Sequence, residues 1–207
     1  MNAGIPIIAV DTGVTGADVT SFVATDNLAV AKVQGAVAAT LVANGDTIIY
    51  VTGNQAQTTG QERRDGFLSA FASARPDSKV LIVPTEWNSA QAQSGVEAVL
   101  NANSDVKMVA NAWDGGTMGA KAALENLGYK AGQVKLVGFD GAGDAIEAME
   151  AGWVHADTAQ MLYQMGYQGV KAAVAAVQGK AVKSRIDTGF FLVTPSTVQA
   201  YKDMVGM

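Results

Sequence analysis

Cysteine is absent from the 207 residues, which excludes disulfides, thiolate nucleophiles and cysteine-held metals. A single histidine, His155, leaves no imidazole cluster for a metal and no well-placed base for a serine triad. It falls in a strand-like stretch, where a structural role is expected. Charged residues make up only 16% of the chain, and the formal net charge is −5. Lysine and arginine nowhere cluster as a phosphate-tracking surface requires, so no nucleic-acid partner is expected. No apolar run reaches the ~18 residues that a membrane span needs. The opening Met1-Asn2-Ala3-Gly4-Ile5-Pro6 has no basic stretch followed by a long apolar one, so no signal peptide is expected at this amino terminus.

What the chain has is alternation. Short runs rich in valine and isoleucine read as buried strands at Pro6–Val10, Thr47–Thr52, Val80–Val83, Val106–Ala110, Val134–Val137 and Val154–Ala159. Helical patterns lie between them. Asp26 or Asn27 caps one in which Val30, Val33, Val37 and Leu41 share a face, and Asn44-Gly45 ends it. Further helices fit Thr59–Ala74, Ala90–Ala102, Thr117–Leu127 and Ala142–Glu150. Such alternation predicts an α/β fold: a Rossmann-like open parallel sheet with helices on both faces. The tail adds a long helix over Met161–Gln178, a strand over Thr188–Val193 and a short helix after Pro195.

Open parallel sheets bind ligands at the carboxyl ends of their strands. The loops at those ends carry Asn54, Arg63, Trp87, Trp113, Asp114, Phe139, Asp140 and Gln160. Aromatic faces suit the C–H faces of a sugar, and planar polar groups suit its hydroxyls. Each residue also has a plainer role available: a half-buried indole, a helix-capping carboxylate, a solvated guanidinium. Glycine-rich Gly138-Phe-Asp-Gly-Ala-Gly and Asp114-Gly-Gly-Thr-Met-Gly match neither a dinucleotide fingerprint nor a phosphate-binding loop, so no nucleotide cofactor is expected. Neither a nucleophile elbow nor clustered metal ligands are found, so no catalytic or metal-binding residue is assigned. Glu86, Asp114 and Asp140 leave a carboxylate pair open as acid–base chemistry.

Several stretches, taken in order, carry a resemblance. They are Gly4-Ile-Pro-Ile-Ile-Ala-Val-Asp11, Val23-Ala-Thr-Asp-Asn27, Arg63-Arg-Asp-Gly-Phe67, Val137-Gly-Phe-Asp-Gly141, Ala156-Asp-Thr-Ala-Gln160 and Asp187-Thr-Gly-Phe-Phe-Leu-Val-Thr194. Together they resemble the type I periplasmic sugar-binding proteins of the ribose, galactose and xylose class of ABC importers. The resemblance covers nearly the whole chain. It implies a ligand held between two lobes joined by crossover strands. By it, Arg63 bonds sugar hydroxyls, Trp87 stacks on the ring, and Phe139 with Asp140 forms an aromatic–acid pair. Gln160 becomes a polar hinge residue, and Asn54 can line the cleft. Trp113 departs from the ribose pattern, where an asparagine is expected just before Asp114. An indole there removes an amide and adds an apolar wall.

The resemblance further implies a carboxy-terminal lobe with hinge, short of most of the first lobe. Residues 1–10 would be a hinge strand, 11–160 the ligand-binding lobe, 161–187 a helix and crossover of the first lobe, and 188–207 a returning hinge strand with a terminal helix. The implied function is a truncated solute-binding component of a sugar importer. Its expected partners are a small sugar and the membrane permease of the importer, its location is the periplasm, and it performs no catalysis. A lac-repressor-type effector domain has the same fold and is the alternative; a sugar-acting α/β enzyme is a third. Leu162, Met165, Val170, Ala173, Val174 and Val177 give the long tail helix an apolar stripe, so a homodimer through 161–178 is expected.

Overall fold

Strands that are covered on both faces need apolar side chains at every position rather than at alternate ones. The run Thr47–Val51 meets that condition and is buried throughout. It sits inside a six-stranded sheet in the computed structural model, which describes residues 4–207. Residues 1–3 of the expected hinge segment lie outside the described residues. In chain order the elements are β1 (Ile8–Val10), β2 (Ser21–Ala24), α1 (Asn27–Thr40), β3 (Thr47–Val51), α2 (Thr58–Ala74), β4 (Lys79–Val83), α3 (Ser89–Ala102) and β5 (Val106–Asn111). There follow α4 (Asp114–Asn126), β6 (Lys135–Asp140), α5 (Gly143–Glu150), β7 (Val154–Gln160), α6 (Leu162–Val177), β8 (Arg185–Asp187), β9 (Phe190–Val193) and α7 (Val198–Val205).

The large sheet has the order β4-β3-β5-β6-β7-β9. Its first five strands run parallel, and β9 closes the edge antiparallel to β7. Helices α1 and α2 pack together as one layer, and α3 and α4 as another. The core is built on Ile48, Ile49, Tyr50, Met108, Leu124, Leu136 and Ile146, all essentially without solvent exposure. Tyr50 stacks on Phe67 at 4.4 Å, and Phe67 stacks on Phe71 at 5.6 Å. Asp26 is the residue that caps α1, its Oδ1 accepting from Ala29 N at 3.0 Å. Gln34 crosses from α1 to the sheet, donating to the carbonyls of Asn111 and Gly138 at 2.8 and 2.9 Å. It thereby ties β5 and β6 together near their carboxyl ends.

A second, three-stranded parallel sheet has the order β1-β2-β8. The sequence predicts β1 but neither β2 nor β8. The expected lobe boundary at residue 11 differs from the pairing, because Ser21–Ala24 lies in the small sheet and the chain enters the large unit only at α1. Val23 of β2 packs under Met165 and Ala172 of α6, which holds residues 161–187 with this sheet. The strand expected over Thr188–Val193 is shorter: Gly189 turns at φ 74° and β9 begins at Phe190, while a separate strand, β8, ends just before it at Asp187.

The tail helix also differs in part. Met165 is 4% exposed and faces the small sheet, so it leaves the expected outer stripe, and Ala173 is half-buried. Leu162, Val170, Val174 and Val177 are exposed, joined by Tyr163 and Tyr167, whose rings stack at 6.3 Å.

Candidate functional site

Five loops at the carboxyl edge of the large sheet converge on one cavity of about 540 Å³. Thr59 and Arg63 reach it from the first turns of α2, where a spacing of four puts them on one helix face. Trp87 comes from the loop after β4, Trp113 from the end of β5, Asp140 from the end of β6 and Gln160 from the end of β7. The small sheet supplies Asp11 and Thr12 from the end of β1, and α6 supplies Leu162.

Arg63 is the centre of the arrangement and is only 3% exposed. Its Nε donates to Asn27 Oδ1 at 2.8 Å, and its Nη1 donates to Ala112 O at 2.7 Å and Asp140 Oδ1 at 3.0 Å. The guanidinium lies 3.9 Å from the centre of the Phe139 ring and 5.7 Å from that of Trp87. Such stacking fixes the plane of the fork. Among the described residues, Nη2 makes no hydrogen bond to protein, so its donors are left for a ligand.

Asp140 Oδ1 also accepts from Gln160 Nε2 at 2.7 Å. Burial pushes the Asp140 carboxyl above the usual range, and the Arg63 charge opposes that rise. The backbone of Asp140 has φ 127°, a strained value for a residue with a side chain. The carbonyl oxygen Oε1 of Gln160 is buried without a donor.

The two indoles meet edge to face, with ring centres 5.4 Å apart at 90°. Trp87 holds its place with φ 59° and an Nε1 bond to Gln57 Oε1 at 2.6 Å. Its six-membered ring lies directly over Gly53, where a Cβ would overlap it. Glycine at that position is therefore a requirement of the wall itself.

Of the eight residues expected at the strand ends, Arg63, Trp87, Trp113, Asp140 and Gln160 line this cavity. Three stand back from it. Asn54 is turned into its own loop, its Oδ1 accepting from Ala56 N at 2.7 Å. Asp114 is 2% exposed, with its oxygens on the N–H groups of Phe139 and Ala142. Phe139 is fully buried and acts as the floor beneath Arg63. Sequence reasoning missed Asp11, Thr12, Gln57 and Thr59 at the wall and Asn27 behind it. Thr59 was open to detection by its spacing from Arg63. Glu86 is exposed, so the carboxylate pair left open among Glu86, Asp114 and Asp140 does not include it at the cavity.

A family model described as a periplasmic binding protein domain matches residues 1–181. The chain belongs to that family. Among periplasmic binding proteins it is 30% identical to the ribose import binding protein of Salmonella typhimurium over 191 residues, 92% of this chain and 64% of that protein. It is 34% identical to the D-allose-binding periplasmic protein of Escherichia coli, over 81% of this chain and 54% of that one. Among solved structures, a solute-binding protein from Bacillus halodurans with bound myo-inositol superposes with TM-score 0.90 at 27% identity, covering 98% of this chain and 70% of that one. The chain thus spans just under two thirds of the length of the ribose import binding protein. Members of this family are binding proteins of ABC importers rather than enzymes, and no helix of the described residues is long and apolar enough to cross a membrane.

Proposed function

We propose that this chain is the sugar-binding lobe, with hinge, of a periplasmic solute-binding component of an ABC importer, and that it performs no catalysis. The observation that carries the reading is the stacked, half-satisfied guanidinium of Arg63 beside two perpendicular indoles in one cavity. A monosaccharide offers an apolar C–H face to the indoles and hydroxyls to Arg63 Nη2 and Asp140. A cavity of about 540 Å³ lies within the range of small-ligand sites. The named ligands of the relatives, ribose, allose and myo-inositol, are small neutral polyols, and the ligand class proposed here is the same.

Trp113 adds an apolar wall, which favours a pyranose or cyclitol presenting a broad C–H face. A permease of the importer is the proposed downstream partner. The test is calorimetry with ribose, allose, tagatose and myo-inositol. Binding of one or more, weakened by Trp113→Ala, supports the reading. Heat-silent titrations with every sugar at millimolar concentration would sink it for this chain. Contacts on the open side of the cavity are few, so the affinity expected is modest rather than submicromolar.

A further inference from the structure

Behind the cavity wall two carboxyls face one another with no cation between them. Asp157 of β7 is fully buried, and Asp114 in the first turn of α4 is nearly so. They stand on either side of β6, whose Gly138 lies between them. Their oxygens meet over Gly138, where a Cβ would crowd both Asp157 Oδ2 and Asp114 Oδ1. The other lone pairs are directed at backbone. Asp114 Oδ1 accepts from Phe139 N at 3.2 Å and Oδ2 from Ala142 N at 2.7 Å, while Asp157 Oδ1 accepts from Gly141 N at 3.0 Å. Only Asp157 Oδ2 is buried with no N–H or O–H directed to it.

Three N–H groups of the loop that carries Asp140 therefore end on this one pair. Two buried carboxylates in contact repel and cannot both ionise without penalty. One proton held between Asp157 Oδ2 and Asp114 Oδ1 removes the repulsion and supplies the missing partner. We propose that Asp114 and Asp157 hold one shared proton, and that this proton positions the 139–142 loop and so Asp140 in the cleft. The inference rests on the reading of that cleft as a sugar site. Asp157 is thus a positioning residue and touches no ligand.

The charged and titratable groups facing the pair are few. Asp140 approaches from β6, Arg63 from α2, and Tyr201 from α7, whose hydroxyl donates to Gly141 O at 2.9 Å. Arg63 is the only cation among them, and it is already committed to Asp140. Burial pushes Asp157 up to about 7 and Asp114 well above the carboxylate range, in keeping with one retained proton near neutrality. Loss of that proton would set a second negative charge against Asp114 and near Asp140, and would push the loop off its anchors.

The test begins on the ligand-free protein, so that it does not depend on sugar. Carboxyl carbon shifts followed by NMR through the neutral range should show one aspartate pair titrating far above the ordinary carboxylate range, and the amide shifts of Phe139, Gly141 and Ala142 should move with it. Carboxyls that all titrate in the ordinary range, or amides indifferent to the transition, overturn the proposal. In Asp157→Asn the new Nδ2 donates to Asp114 Oδ1 while Oδ1 still accepts from Gly141, so the protonated geometry is fixed. That variant should lose the neutral titration, and if it fails to fold the wild-type titration decides alone. For a sugar that binds, wild-type affinity should fall about tenfold as the pair ionises, the cost of roughly one charged hydrogen bond, while the variant stays flat. Equal pH profiles overturn the positioning role, whereas a titrating pair in a protein that binds no sugar overturns the sugar reading alone.

Discussion

Replacing Arg63 by methionine keeps a side chain of similar length between Phe139 and Trp87 but removes every hydrogen bond the guanidinium makes. Asn27 Oδ1 and Ala112 O lose their donors, at about 1 kcal/mol each by the usual net value of a hydrogen bond. Asp140 loses a charged bond, nominally ~1.5–3 kcal/mol. A quarter of the Asp140 side chain is exposed, so water offsets part of that loss and the lower end applies. The expected destabilisation is about 3.5 kcal/mol, with no ligand present. It is read from urea unfolding followed by circular dichroism, compared at equal m. The Asp140 carboxyl should also rise further, because the cation that opposes its burial has gone. A loss below about 1 kcal/mol would mean that the fork is solvated rather than engaged, and that the rigid centre of the site does not exist.

Three further outcomes are expected. Gly53→Ala should displace the Trp87 ring and cost about 1–3 kcal/mol of overpacking, seen as a lower urea midpoint with altered tryptophan emission; an unchanged spectrum would contradict the contact. Stability of the wild type should fall as pH rises from about 4 to about 7, because the native pair keeps a proton that the unfolded chain has released; thermal melts of Asp157→Asn should lack that part of the slope, and parallel curves would refute it. We also propose that the exposed face of α6 pairs with a second copy: light scattering should show a concentration-dependent dimer that Val170→Glu abolishes, and a wild type that stays monomeric at high concentration would rule it out.

The large sheet was legible because β3 and β4 are short apolar runs and β5 and β6 keep enough valine, leucine and methionine to read as strands, a pattern that burial of a sheet imposes locally. Strands β2 and β8 were not. Arg185-Ile186-Asp187 has no apolar run, and it becomes a strand only because Phe22, Val23 and Ala24 lie alongside it after a gap of some 160 residues in the chain. At the site, the rule that ligands gather at strand ends located Arg63, Trp87, Trp113, Asp140 and Gln160. It gave no direction for a side chain. Phe139 and Asp140 are consecutive, and the pleat sends one beneath Arg63 and the other toward the cavity. Asp114 looked like a cleft carboxylate and proved to be an anchor for backbone N–H groups. Asn27 read only as a candidate helix cap, and nothing in the sequence told what Asp157 and Gln34 serve, since a polar residue between apolar ones reads as a solvent-facing position until its partner is known.

The perpendicular indoles also make the chain its own optical probe. There are three tryptophans, and two of them, Trp87 and Trp113, form a corner of the cavity. The third, Trp153, precedes β7 at the end of the sheet away from the cavity, with Lys121 5.4 Å from its ring centre. Seven residues of extended chain separate it from Gln160, roughly 23 Å at strand rise. A solute that expels water from the corner changes the dielectric around two emitters together and leaves the third as an internal reference. Occupancy should therefore be readable as a shift in emission colour, without dye, tag or engineered reporter.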